Sequence, residues 1–307
     1  MTGSPEPQQS NKLKFPRLVF YNGLLLETKE HNKIQLKMKT FRLVGMALFA
    51  VLMCVNFASC SSSDDDPTEE KEGGVVVSGK KLSKIVGTSE NTSETYTFSY
   101  DNEGRLIKSV VTEEYDNNRY NRTHSFIWGD DAIKETVNSS YSYNGQSSNN
   151  SSYSNTYTLK NGLVQSDESH TYSYNNSKKL VQVKTDYYTT TAIWDGDKLV
   201  SISEDDGSES EATLTYGKSC KKGYFPFAAN MIDDCALYIA HPEIAGGRTT
   251  QLPTGITWTY RGYGGTEIET STLEYEFDKE GYITKITGKE TDSDGATSTY
   301  TYTLTWE

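Results

Sequence analysis

The stretch Thr95-Tyr96-Thr97-Phe98-Ser99-Tyr100-Asp101-Asn102-Glu103-Gly104-Arg105-Leu106 decides how this chain reads. Tyr96, Phe98 and Tyr100 alternate with Thr and Ser, a period of two. That period defines a β-strand with one aromatic and one hydroxyl-rich face. Thr and Tyr suit strands because they pack on a pleated, half-wet surface. The aromatic run ends on Asp101, which starts a turn. Gly104 takes the φ > 0 position and Leu106 opens the next strand.

The same arrangement returns along the chain. Phe277-Asp278-Lys279-Glu280-Gly281-Tyr282-Ile283 repeats it closely. Looser copies begin at Trp128, Tyr174 and Trp194. Asp206-Gly207 and Asp294-Gly295 supply further hairpin turns, and Tyr300, Tyr302, Leu304 and Trp306 close the chain on strict alternation with Thr. From Leu82 onward the body therefore reads as a string of antiparallel hairpins. Composition agrees, with 22 Tyr against 10 Phe, 24 Gly and 7 Pro in 307 residues. A mean hydropathy of −0.66 would suit disorder, but the sustained alternation argues against it.

Two segments depart from this pattern. Between Glu135 and Lys160 the chain is uncharged and rich in Ser and Asn, punctuated by Tyr141, Tyr143, Tyr153 and Tyr157. It reads as a long hairpin with a flexible Ser/Asn loop from Gly145 to Ser152. The competing reading is a tip that contacts a glycan or a protein, because Tyr, Ser and Asn combine stacking with adaptable hydrogen bonds. From 218 to 253 the alternation stops altogether. Phe227 to Ala240 carries apolar residues at spacings of three and four, with Pro242 beyond. This predicts one short helix near 227–240, inserted in the meander and stopped by proline. Its apolar residues are expected to pack against the aromatic face of the sheet.

The N-terminal region reads as export apparatus. Lys39 and Arg42 precede a short apolar run from Val44 to Val55, the form of a signal peptide and too short to cross a bilayer as a helix. The run ends Phe57-Ala58-Ser59-Cys60, which resembles a lipobox; the resemblance implies that Cys60 carries the lipid and that cleavage falls before it. Met38 fits as the initiator, making 1–37 an expected mis-called extension and 38–59 the signal peptide. Residues 60–80 form a Ser/Asp-rich tether, and 81–307 the β-domain. Asp64-Asp65-Asp66 resembles the surface-export signal of Bacteroidetes lipoproteins, and the same run would also serve as a solvated spacer.

Charge and cysteines narrow the partners. The whole chain carries −12. Residues 1–59 hold eight of its basic and three of its acidic residues, so 60–307 has 22 basic against 39 acidic, a net of −17. An acidic surface repels phosphate backbones, and Lys218, Lys221 and Lys222 are too few to reverse that, so no nucleic-acid partner is expected. Cys220 and Cys235 remain after processing. Fifteen residues apart in an exported chain, they can close a disulfide contributing about 3 kcal/mol, or stay as two buried thiols. No metal site is expected from them, since only His241 lies near.

No nucleophile elbow, phosphate loop, dinucleotide glycine fingerprint or paired-His zinc motif appears, and the sequence implies no cofactor. Trp258, Tyr260 and Tyr263 form the most prominent aromatic cluster. They are read either as core-lining strand residues or as a stacking platform for a ligand.

The segment around Tyr100 resembles the YD repeat of Rhs-type surface proteins, a shared hairpin solution rather than membership. The pattern of residues 38–307 resembles a family of Bacteroidetes lipoproteins of unknown function with a Tyr-rich, porin-like fold. The alternation and turns give an all-β protein, a single antiparallel meander of about a dozen strands, and a one-faced sheet of that size must curl, close or fold over itself. The resemblance implies a curled, barrel-like or half-barrel meander. It supplies no activity. The expected role is a non-enzymatic binding or scaffold lipoprotein, anchored in the outer membrane through its acyl chains, exposed at the cell surface and engaging a glycan or protein ligand. A carboxylate-dependent glycoside hydrolase and a membrane-spanning barrel are the alternatives.

Overall fold

A computed structural model describes residues 79–307 except 91, 116, 206–208 and 263–264. The signal peptide, Cys60 and most of the tether lie outside the described residues, as does Tyr263. Among the described residues sixteen strands follow one another in chain order. They are β1 (Leu82–Thr88), β2 (Thr92–Tyr100), β3 (Leu106–Tyr115), β4 (Asn118–Trp128) and β5 (Ala132–Tyr143). β6 (Gln146–Lys160), β7 (Leu163–Ser166), β8 (Thr171–Tyr174), β9 (Leu180–Lys184), β10 (Thr189–Asp195) and β11 (Lys198–Asp205) come next. β12 (Glu209–Ser219), β13 (Gln251–Gly262), β14 (Gly265–Phe277), β15 (Ile283–Thr291) and β16 (Thr297–Trp306) complete the set. Every neighbour is antiparallel, and β1 pairs with β16 from Leu82↔Trp306 to Thr88↔Thr301, so the sheet closes into a barrel. Closure leaves no free sheet edge.

The expected meander is thus present, with sixteen strands where about a dozen were expected. The surplus lies in β7, β8 and β9, of four, four and five residues, too short to display a period. The expected loop at 145–152 is instead a strand. β6 runs fifteen residues and pairs with β5 down to Tyr143↔Gln146. Asn144 (φ 50°) and Gly145 (φ 76°) make a two-residue turn with both residues left-handed, the hairpin geometry that matches strand twist. A paired backbone ladder therefore overrides the weak strand propensity of Ser and Asn.

One end of the barrel is built by the repeated aromatic–Asp turns. The Asp101 carboxylate accepts the backbone N–H groups of Glu103 and Arg105, and the Asp278 carboxylate those of Glu280, Gly281 and Tyr282. Asn175 does the same for Ser177 and Lys179, with Lys178 (φ 59°) in the glycine place. An aromatic near the end of most even-numbered strands has a second task. It donates to a carbonyl near the start of the preceding strand, whereas in β6 Tyr157 turns to the Glu135 carboxylate instead. Tyr100 donates to Leu82 O at 2.7 Å, Trp128 to Leu106 O at 2.7 Å and Trp194 to Leu180 O at 2.8 Å. Tyr174, Tyr216, Tyr275 and Trp306 repeat the bond. Beneath these bonds Leu82, Leu106, Ile133, Val164, Leu180, Leu199, Leu252 and Ile283 form a fully buried aliphatic ring.

Residues 220–250, between β12 and β13, fill this end as a plug. The predicted helix is shorter than expected. α1 covers only Ala236–Ala240, followed by a 3-10 turn over Pro242–Ala245, while Phe227–Asp233 forms separate turns. Pro242 opens the 3-10 turn, where its missing N–H costs nothing, rather than only ending the helix. The plug meets the wall around its circumference. Tyr224 packs edge-on against Trp306 of β16, and His241 Nε2 accepts the Leu106 N–H of β3 at 3.0 Å. Tyr157 of β6 reaches Cys235, and Tyr172 of β8 donates to Asp233 at 2.8 Å. Gly246 (φ 60°) touches the backbone of Lys178 and Leu180, leaving no room for a Cβ.

Candidate functional site

Above the plug the inner wall turns from apolar to polar. The alternation that buries Leu106, Phe126 and Ile133 at the plug end carries inward-facing Glu94, Glu113, Arg122, His124 and Glu135 higher up. The plug adds Asp233, Asp234 and Cys235 to this layer.

Most of these groups are paired. His124 Nδ1 and Glu135 lie 2.7 Å apart, and Glu135 accepts from Tyr157 at 2.8 Å. Arg122 binds Glu113, and Tyr302 donates to Glu94. Beside β6, Asp167 holds His170 at 2.9 Å. Burial alone would raise the Asp167 carboxyl, but hydrogen bonds from His170 and from the Ser169 and His170 backbones outweigh it and hold it at about 2. Glu94 is pushed up to about 7, first by burial, and Asp233 up to about 6 for the same main reason.

Among the residues singled out from sequence, Trp258 and Tyr260 are together. Their rings stack 6.3 Å apart at 7°, on the inner face of β13. Trp258 is only 2% exposed, so its faces belong to the core and cannot serve as an open platform. Across from it lies Glu269, with Glu290 on the next strand. Both are raised to about 7, chiefly by burial and then by nearby carboxylates. Cys220 and Cys235 are free thiols, so the disulfide their spacing admits is not made. Cys220 lies beside the Thr250 carbonyl and Cys235 beside the Tyr157 hydroxyl, at opposite attachments of the plug. Burial pushes the Cys220 thiol up to about 11 and raises Cys235 as well, so both stay protonated.

The accessible aromatic surface is elsewhere, in the stretch expected to be a loop. Cross-strand register sets Tyr115, Asn118 and Tyr143 in one row of the inner face at the mouth. Glu113, Tyr120 and Tyr141 form the next row. Arg122 and Ser139 follow with Ser151, and then His124 and Val137 with Tyr153. The Tyr120 and Tyr141 rings lie 5.3 Å apart, and Tyr141 donates to Asn118. Tyr143 is 55% and Tyr153 48% exposed. The two-residue spacing of Tyr141 and Tyr143 was the available signal that they share a face; the surrounding Ser and Asn hid it.

No protein-family model matches this chain, and no curated protein does. Among solved structures, a porin-like protein from Bacteroides uniformis is 19% identical, with 74% of this chain and 98% of that one covered and a TM-score of 0.49. A porin-like protein from Bacteroides vulgatus is 10% identical, with 75% and 99% covered and a TM-score of 0.38. At these identities and TM-scores nothing passes from either protein to this one.

Proposed function

We propose that this protein is a non-enzymatic outer-membrane lipoprotein whose barrel stands in water at the cell surface, a cup plugged at one end and open to a ligand at the other. The observation that carries the reading is the polarity of the outer wall. Outward positions read Thr299, Thr301, Thr303 and Thr305 on β16, and Lys285, Thr287 and Lys289 on β15. They read Thr272, Glu274 and Glu276 on β14, and Lys134, Thr136 and Asn138 on β5. A lipid-facing wall needs an apolar band about 25 Å tall on that side. β7, β8 and β9, at four to five residues, are also far short of the roughly nine to eleven a spanning strand needs. The plug, touching the wall at β3, β6, β8 and β16, favours holding a ligand over conducting one.

The anchor supplies the first test. Cys60→Ala removes the thiol that accepts the diacylglyceryl group, so metabolic fatty-acid labelling is expected to vanish. Equal labelling of mutant and wild type would show that Cys60 is not the lipid site. Replacing Asp64, Asp65 and Asp66 with Ala is expected to leave labelling intact and remove the protein from protease shaving of whole cells. Unchanged shaving would reduce the acidic run to a spacer.

A further inference from the structure

Resting on the cup reading, and naming its ligand, we infer that the inward tyrosine surface of β3–β6 binds an uncharged polysaccharide chain. Tyr143 at the rim and Tyr153, opposite Val137, mark the ends of a track down the inner wall. They are separated by six residues of β5, about 20 Å at 3.3 Å per residue. Tyr120 and Tyr141 lie between them. That length suits an extended chain rather than a single sugar.

The chemistry selects the class. The C–H face of a sugar ring packs on an aromatic ring, and tyrosine offers that ring at low conformational cost. Sugar hydroxyls both donate and accept, as do the Asn118 amide, the Ser139 and Ser151 hydroxyls and the tyrosines of this face. A polyanion is disfavoured, because Glu94, Glu113, Glu135 and Asp234 share the lumen and residues 60–307 carry −17. A peptide bound by strand addition would need a free sheet edge, and the closed barrel has none. The second aromatic pair, Trp258 and Tyr260, does not compete, because Trp258 is buried.

The test uses the full lipidated protein in detergent and a panel of neutral polysaccharides (starch, mannan, xylan, β-glucan) beside heparin and polygalacturonate, read by affinity electrophoresis. At least one neutral polymer is expected to retard the wild type, and the charged polymers not to. The pair Tyr143→Ala and Tyr153→Ala is expected to weaken that retardation tenfold or more, with the melting temperature unchanged because both side chains are exposed. Tyr143→Phe with Tyr153→Phe keeps the rings and should keep most of the binding. No retardation by any neutral polymer, binding of charged polymers only, or an alanine pair that binds like wild type would overturn the inference. So would capture of a protein ligand lost in the same alanine pair. Fatty-acid labelling and whole-cell shaving of the same strains report on the anchored cup separately, so the ligand can fail while the cup stands.

Discussion

The two ends of the barrel obey the same alternation and come out as opposites. At the plug end, aliphatic side chains meet the plug and the strand-end aromatics close on backbone carbonyls. The Leu106 N–H joins wall to plug by donating to His241, while the Trp128 and Trp306 ring N–H groups donate to carbonyls of the neighbouring strand. At the mouth, the same inward positions carry tyrosines, carboxylates and an arginine, and several remain open to solvent. One rule of facing therefore yields a core where a plug covers it and a surface where nothing does. Substitutions can break or sharpen that contrast.

The largest effect is expected at the plug. Phe225 is 1% exposed and packs edge-on against Phe227. Phe225→Ala is expected to lower stability by about 3–5 kcal/mol, measured by chemical denaturation. A change under 1 kcal/mol would mean that the plug is not part of the core.

The next effect separates the two ends by pH. Glu94, Asp233, Glu269 and Glu290 all have folded values raised to about 6–7. A carboxyl raised on folding favours the folded state when protonated, so its contribution is full below the unfolded value and is lost as pH rises through 6–7. Asp167, lowered to about 2, acts in the opposite sense only at strongly acidic pH. The melting temperature is therefore expected to be higher at pH 5 than at pH 8, with Glu94 alone accounting for about 2 kcal/mol of the difference. Glu94→Gln should shrink that difference. A protein more stable at pH 8 would contradict the burial of these groups.

A smaller effect belongs to the strand-end bonds. Trp128→Phe keeps a ring and removes the donor to Leu106 O, for an expected loss of about 1 kcal/mol. Wild-type stability would mean that the repeated bond only decorates the turn. Smallest of all, the mouth substitutions Tyr143→Ala and Tyr153→Ala are expected to leave stability within about 0.5 kcal/mol.

Much of this was legible in particular residues. Tyr100, Asp101 and Gly104 announced the hairpin, and the copies at Phe277 and Tyr174 adopt the same turn. Trp258 and Tyr260 share a face as their two-residue spacing indicates, and the burial of Trp258 agrees with the core-lining reading over the platform. The 227–240 helix was overextended because apolar residues at mixed spacing also suit a plug of turns. The long Ser/Asn hairpin is present, and only its expected loop at 145–152 is strand from Gln146 on, because that stretch is held by pairing with β5, a contact composition does not encode. Closure could not be read either: the Leu82↔Trp306 register joins residues at opposite ends of the chain.

The central claim is that a plugged, polar-walled barrel stands in water, and the solution behaviour of residues 68–307 without anchor or detergent tests it most directly. The account predicts a monodisperse, β-rich monomer that melts cooperatively and does not insert into liposomes. A chain that aggregates until detergent is added, or that folds only into bilayers, would contradict it.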